Sequence, residues 1–276
     1  MRLKYKAVLI ICSVLFGSCS TDIEQMSSPE RLKKVVEFNS VVSNNSHETK
    51  AMQTYWEADD NIGVYMKKTG DVLSSGSILN KADNVIYTTT GDGHFTPKSL
   101  DDAISFPNDG NADFIAYYPQ REISGFIYKV DITDQSSPQD IDLLYSDNLK
   151  NLDSDENTPS FIFSHQLVML ELNIIPDTQL TNLSGLIVTI AGIHTQADFD
   201  ITNGNLISDN TSISEVTCPT KANGSSLISN IILIPDNGAN NRKVTFSHPN
   251  GKTFKWVIPT ETIFEKGKKY TYNITL

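Results

Sequence analysis

The stretch KGKKYTYNITL, Lys266–Leu276, alternates apolar and polar side chains with a period of two. Tyr270, Tyr272, Ile274 and Leu276 fall on one face, and Lys269, Thr271, Asn273 and Thr275 fall on the other. That is the pattern of a strand with one side on a core and one in water. Gly267 opens the turn before it, and the expectation is a chain that terminates inside a sheet. Working outward, the same short apolar runs recur at Val35–Val42, Ile62–Met66, Asn84–Thr89, Asp113–Tyr118, Gly125–Ile132, Phe161–Phe163, Leu167–Ile174, Leu186–Ala191, Ser229–Ile234, Lys243–Ser247 and Thr253–Ile258. Asn, Asp, Gly and Pro separate them. No run carries the 3.6-residue period of an amphipathic helix, so the expected fold class is all-β, built from stacked antiparallel sheets. In Phe114–Tyr118, alternation sends Phe114, Ala116 and Tyr118 one way and Ile115 and Tyr117 the other, which suits a central strand covered on both faces.

The opposite end of the chain carries an export signal. Arg2, Lys4 and Lys6 form a positive region, Ala7–Phe16 an apolar run, and Gly17-Ser18 leads into Cys19. The run is about half the length that a membrane-spanning helix needs. Ending on cysteine, the signal resembles the lipobox of bacterial lipoproteins, with residues 1–18 removed and Cys19 acylated. Residues 19–31 read as a flexible spacer. Two domains follow, 32–158 and 159–276, divided near Thr158 in the acidic, Asn-rich stretch Asn148–Ser160, which has the composition of a linker.

Composition narrows the function. The chain holds 22 Lys and Arg against 33 Asp and Glu, and loss of residues 1–18 leaves 19 against 33. A surface at about −14 repels nucleic acid, and there is no basic stripe to bind it. Cys12 leaves with the leader, Cys19 takes the lipid, and Cys218 is alone, so no intrachain disulfide is expected. Cys218 reads as a small buried residue. No G-x-S-x-G elbow, H-E-x-x-H pair, Walker A loop or G-x-G-x-x-G fingerprint occurs. His47, His94, His165, His194 and His248 lack metal-ligand spacing. Asp153, Asp155 and Asn157 imitate the start of an EF-hand, but Thr158 stands where glycine is needed and Ser164 where a bidentate glutamate is needed. Asp198 and Asp200 flank Phe199 on one strand face, either a solvated edge or a cation site. Asp59 and Asp60 read as a polar turn. No general acid and base pair emerges, so neither an enzyme nor a cofactor is expected.

Six blocks, in order, resemble the fimbrillin family of the Bacteroides group, in particular the fimbrillin-like lipoproteins related to major and minor fimbrial subunits. They are WEADDNIGVYM (Trp56–Met66), DFIAYYP (Asp113–Pro119), DIDLLY (Asp140–Tyr145), FSHQL (Phe163–Leu167), ADFDITNG (Ala197–Gly204) and the closing KGKKYTYNITL. Ala58-Asp59 stands where the family carries Gly-Asp. The resemblance implies two tandem transthyretin-like β-sandwich domains, export to the cell outer membrane as a surface lipoprotein, and assembly with other fimbrial subunits, self or related, in fimbriae that mediate adhesion. The surface ligand is not identified by it.

The resemblance also implies a route of assembly, in which a trypsin-like protease removes the N-terminal strand and a neighbour's strand fills the groove. In this chain the removable strand would be Val35–Val42, with Val35, Val36, Phe38, Val41 and Val42 as its apolar residues. Thr49-Lys50-Ala51 stands where relatives carry Thr-Arg-Ala, which places the expected cut between Lys50 and Ala51. Lysine departs from the arginine an arginine-specific enzyme needs, and Arg31 and Lys34 are the alternatives. Tyr270, Tyr272, Ile274 and Leu276 form the candidate donor or terminal strand, with no spare tail beyond it. A competing reading is a monomeric surface lipoprotein that binds glycans on Tyr55-Trp56 or Trp256. Exposure of those rings and the presence of a removable first strand separate the two.

Overall fold

Period-two alternation governs the computed structural model, which describes residues 34–43, 55–156, 158–236 and 241–276. Strands in chain order are β1 Phe38–Val42, β2 Asn61–Lys68, β3 Val85–Thr89, β4 His94–Pro97, β5 Ala112–Tyr118, β6 Ile127–Asp131, β7 Leu144–Leu152, β8 Ser160–His165 and β9 Val168–Ile175. They continue with β10 Ile187–His194, β11 Gln196–Asp200, β12 Asn205–Ser208, β13 Ile213–Cys218, β14 Lys221–Asn223, β15 Ser226–Leu233, β16 Lys243–Ser247, β17 Thr253–Val257 and β18 Lys269–Thr275. One short helix, α1 Pro138–Ile141, and a single 3-10 turn at Leu100–Asp102 interrupt them among the described residues.

Seven strands close on themselves in the order β1-β4-β3-β2-β5-β7-β8. Where two stacked open sheets were expected, hydrogen bonding runs in a cycle, and closure of this kind removes sheet edges. A second pair of sheets, β13-β10-β16-β17 and β14-β15-β9-β18, shares one apolar core in the C-terminal half. The remaining sheet, β12-β11-β6, pairs Phe199 with Tyr128 and Ala197 with Val130, so it is built from both halves of the chain.

Strands β2 and β5 form a wall common to two cores. Ile62, Val64 and Met66 of β2 and Phe114 and Ala116 of β5 point into the closed barrel. Tyr65, Ile115 and Tyr117 point the other way, into the cluster that continues through Leu170, Leu172, Val188, Phe246 and Leu276. Every residue of Ala112–Tyr117 is buried, as a strand covered on both faces must be. Gly63 is where the wall is thinnest: a Cβ there would lie 2.4 Å from the Tyr117 ring and 2.3 Å from Asn84 Oδ1. Only glycine lets that tyrosine lie across β2 and donate its hydroxyl to Asn84 at 2.7 Å.

The expected linker at Asn148–Ser160 is not one along its whole length. Strand β7 runs to Leu152 and β8 begins at Ser160, leaving only the residues between them outside strands. Two bulges in the pairing of β5 with β7 break the alternation, which hides β7 behind its acidic and Asn residues. Strand β8, just after the expected boundary at Thr158, pairs with β7 and β1 in the barrel.

One bulge carries an ion pair. Lys67 and Asp113 face each other across β2 and β5, 4% and 3% exposed, with Nζ 2.8 Å from Oδ2. Asp113 also accepts the N–H groups of Gly70 and Asn151, tying β7 to the wall. Burial pushes its carboxyl pKa up, but the Lys67 ammonium and the two backbone donors together hold it below the ordinary carboxylate range. A depressed folded-state pKa contributes stability that is present above the unfolded value, about 3.9, and lost as pH falls through the folded one. Asp113→Asn is therefore expected to cost about 3 kcal/mol at pH 7, since it strands Lys67 in the core. In urea titrations the gap to the parent narrows steadily below about pH 4; a gap independent of pH would refute this account. Cys218 is also buried, and burial pushes its thiol up to about 12. Mass-mapped thiol labelling at pH 8 should leave Cys218 unmodified in the folded protein and modify it fully in denaturant.

Candidate functional site

The five residues of β1 hold the seam of the barrel. On one side Asn39–Val42 run parallel to Ser160–Phe163 of β8, and on the other Phe38 and Asn39 pair with Phe95 and His94 of β4. Asn39 N–H donates to Pro159 O at 3.0 Å and Ser43 N–H to Phe163 O at 2.7 Å. Before the strand, Val36 N–H donates to Ile104 O, and Tyr87 O–H donates to Val36 O at 2.9 Å. The main chain of residues 36–43 is thus stitched to four separate segments, β8, β4, the loop at Ile104 and Tyr87 of β3.

Inside the barrel β1 is anchored by one ring. Phe38 is fully buried, its centroid 5.1 Å from Tyr87, 5.4 Å from Phe114 and 4.8 Å from Phe161. Of the other expected strand residues, Val36 is buried, Val35 and Val42 are half-buried and Val41 is exposed. Val35 and Val36 precede the strand, with Val35 forming only an isolated bridge to Ser105. Gly93, at φ +80°, lets the β4 end approach: a Cβ there would lie 3.1 Å from Ser40 O, and Ser40 Oγ donates to Gly93 O. Ser160–Phe163 have no ladder partner but β1 among the described residues, because β7 reaches only Ser164 and His165. Without β1, β4 and β8 would face each other across a slot shaped by Phe38.

At the other end of the chain, Tyr270, Tyr272 and Ile274 are half-buried and Leu276 is buried, while Thr271, Asn273 and Thr275 are exposed. The alternation read from the sequence is found from Tyr270 to Leu276, whereas Lys269, expected on the wet face, is half-buried and meets Glu171 Oε2 at 2.7 Å. Strand β18 runs parallel to β9 from Lys269 beside Met169 to Thr275 beside Ile175, at the edge of its sheet. Tyr272 packs on Trp256 at 4.7 Å and Tyr270 on Phe264 at 5.0 Å.

Several expected residues fall elsewhere. Cys19, Lys50 and Ala51 lie outside the described residues. Trp56 is 7% exposed, edge-on to Phe95, Tyr118 and Phe163, and so belongs to the barrel core. Trp256 is half-buried, and of the three proposed sugar platforms only Tyr55, at 67%, is open to solvent. His165 faces a carboxylate, Asp142 Oδ2 at 2.8 Å. Asp198 and Asp200 do share a face, but Lys129 takes both oxygens of Asp198 at 2.7 Å, and Asp200 caps the turn through Thr202 and Asn203. Within the seam the element that sequence reading missed is β4: four residues with one buried side chain, Phe95, give too short a pattern to read.

Comparison with known proteins agrees with this architecture. The family model described as fimbrillin-like matches residues 49–276. A Bacteroides uniformis protein described as a candidate fimbrium subunit, Fim1C, is 31% identical over 97% of this chain and 88% of its own length. The crystal structure of a candidate cell adhesion protein from Bacteroides uniformis matches with a TM-score of 0.73 at 28% identity, covering 90% of this chain and 94% of that one. A second, from Bacteroides ovatus, shares the fold with a TM-score of 0.71 at 22% identity, over 89% of this chain and 93% of the other. With a family model spanning most of its length and a relative of that identity, the chain belongs to the fimbrillin-like family.

Proposed function

We propose that this protein is a fimbrial subunit or an accessory of one, exported as an outer-membrane lipoprotein through Cys19, and that it joins its neighbours by strand exchange after proteolysis removes β1. A role in cell adhesion accompanies that placement, as the descriptions of its relatives support. The single observation that carries the reading is the setting of β1. One strand, five residues long, closes a seven-stranded cycle and leaves an unpaired edge on each side when it departs.

The physical logic is that of donor-strand addition. An open seam exposes the N–H and C=O groups of β4 and β8 and the pocket of Phe38, and an extended segment from another subunit satisfies both. Lys50 and Ala51 fall between β1 and β2 in sequence, so a cut there separates β1 from the rest of the barrel. Cuts after Arg31 or Lys34 would free the lipid yet keep β1 in place, giving release without exchange. The glycan-binding alternative loses ground because the Trp56 ring is committed to the core.

Four measurements bear on this. N-terminal sequencing of the protein recovered from the cell surface should find a chain beginning at Ala51, and filaments should disappear from electron micrographs when the protein is absent. Recovery of the acylated Cys19 form alone would sink the exchange mechanism. Phe38→Ala should lower the unfolding free energy by about 3–5 kcal/mol in urea, as large-to-small changes in aromatic cores do. The same variant should release the N-terminal segment faster after limited trypsin treatment, and an unchanged release rate would show that Phe38 does not hold the seam.

A further inference from the structure

Charge is spread unevenly along this acidic chain. Residues 241–276 hold seven Lys and Arg against two Asp and Glu, whereas residues 19–240 hold 12 against 31. The hairpin β16–β17 is the most one-sided part. Residues 241–257 carry four basic side chains and no acidic one.

Those basic groups differ in how they are used. Arg242 is buried and paired with Asp236 at 2.8 Å. Lys243 and Lys255 have no ion-pair or hydrogen-bond partner for their ammonium groups among the described residues. Their direction follows from the register of β13-β10-β16-β17. Val216, Ile190, Val244 and Trp256 form a row turned into the sandwich core, so the rows on either side of it point outward. One outward row is Thr217, Thr189, Thr245 and Lys255; the other ends in Lys243 and Val257. Every one of these residues is exposed or half-buried. Glu215, the one carboxylate on this face, lies two strands away from Lys243. An open sheet face with hydroxyls beside two unpaired ammonium groups suits an anionic partner.

The chain itself offers such a surface. Loops 57–60 and 90–93 meet at the end of the barrel: Asp59 N–H donates to Thr89 O at 3.0 Å, and a Cβ on Gly91 would lie 3.3 Å from Ala58 N. Glu57, Asp59 and Asp92 are exposed there. No Lys or Arg occurs in residues 51–66 or 82–97. Asp92 accepts the His94 N–H at 3.0 Å and the Thr89 hydroxyl at 3.2 Å, donors that hold its carboxyl below the ordinary range and keep it charged. By contrast, Asp147 is paired with Lys150, and Asp101 and Asp102 share a groove with Lys81 and Lys98.

We propose that the outward face of β16–β17 docks on the acidic barrel end of a second copy of this chain, with Lys243 and Lys255 against Glu57, Asp59 and Asp92. Each chain carries both surfaces, so the contact is head to tail and can repeat. Its extent sets its strength. Four strands about 4.8 Å apart, with about five residues each at about 3.3 Å, give a footprint of roughly 300 Å², less than half of the ~800 Å² per partner in stable complexes. The contact alone is therefore weak and salt-sensitive, and it orients neighbours. Uncut chains make it, so it goes beyond strand exchange and does not rest on loss of β1.

Carbodiimide, which couples an ammonium to a carboxylate in contact with it, supplies the readout. Full-length chain of natural isotope content is mixed with full-length chain grown on heavy nitrogen, cross-linked at low salt, digested and mass-mapped. Peptides of mixed isotope should join Lys243 or Lys255 to Glu57, Asp59 or Asp92, and added salt should remove them. Lys243→Glu combined with Lys255→Glu should lower that yield at least about tenfold, because like charges then face each other. Mixing this variant with a chain carrying Glu57→Lys and Asp59→Asn should restore cross-linking between the same two segments; asparagine suits the left-handed backbone at residue 59, φ +72°. If the double lysine variant fails to fold, Lys255→Glu alone, at an exposed position, should lower the yield about threefold. Mixed-isotope peptides that are absent, spread evenly over the other lysines, or unchanged in folded variants would each overturn the proposal. So would retention on heparin that needs Lys243 and Lys255 with no cross-link between chains, which would mark the face as a site for an anionic polysaccharide.

Discussion

Everything in the N-terminal barrel depends on the pairing of one seam. Backbone groups at a sheet edge must find partners, and a long apolar edge left open is a template for another chain. Here the requirement is met by a strand that pairs with β8 along four residues and with β4 along two. The pairing alone would be weak. What fixes it is Phe38, placed among Tyr87, Phe114 and Phe161, because the ring cannot leave without opening the most aromatic part of the core. Closure and packing are therefore one event, and any process that removes the strand has to replace both the ladder and the ring.

The wall formed by β2 and β5 explains why one seam matters to the whole body. Tyr65 and Tyr117 carry the second core on the reverse of strands whose other face lines the barrel. Interiors packed at crystalline density transmit displacement and do not absorb it. Gly63 permits the close approach, and the Lys67–Asp113 pair locks the far end of the same wall to β7.

Much of this was legible in the sequence, for identifiable reasons. Ile62–Met66, Asp113–Tyr118 and Lys269–Leu276 are long enough, and regular enough, for alternation to reveal both the strand and its buried face. Strand β7 was hidden because two bulges shift its register, so that Leu149 and Leu152 no longer fall on the expected beat. Strands β12, β13 and β14 present mostly exposed residues and bury little, which leaves no apolar pattern to find. The seam was half legible. A patterned Val35–Val42 run was plain, but its partner β4 was too short, and nothing local shows that β1 lies parallel to a strand more than a hundred residues away.

An exchanged strand must reproduce what β1 supplies, and that requirement constrains the donor. It has to offer alternating side chains with a large apolar group at the place of Phe38, since a smaller one would leave a cavity whose cost grows with its volume. Strand β18 has such a pattern in Tyr270, Tyr272 and Ile274, but it is paired with β9 over its whole length and covers Trp256 and Phe264. Its departure would open a second seam as it closed the first. Donation of β18 is thus favourable only if the gain at the vacated barrel exceeds the loss at β9, and parallel pairs are slightly the weaker kind per residue. The balance turns on how much of the aromatic packing around Phe38 the incoming tyrosines recover. In the proposed lipoprotein form, acyl chains on Cys19, each methylene worth about 0.8 kcal/mol when buried, would hold a subunit at the membrane against either outcome until the chain is cut. Under the proposed mechanism, position along the chain would decide what a cut accomplishes: ahead of Phe38 it would release a closed barrel, and beyond Val42 an open one.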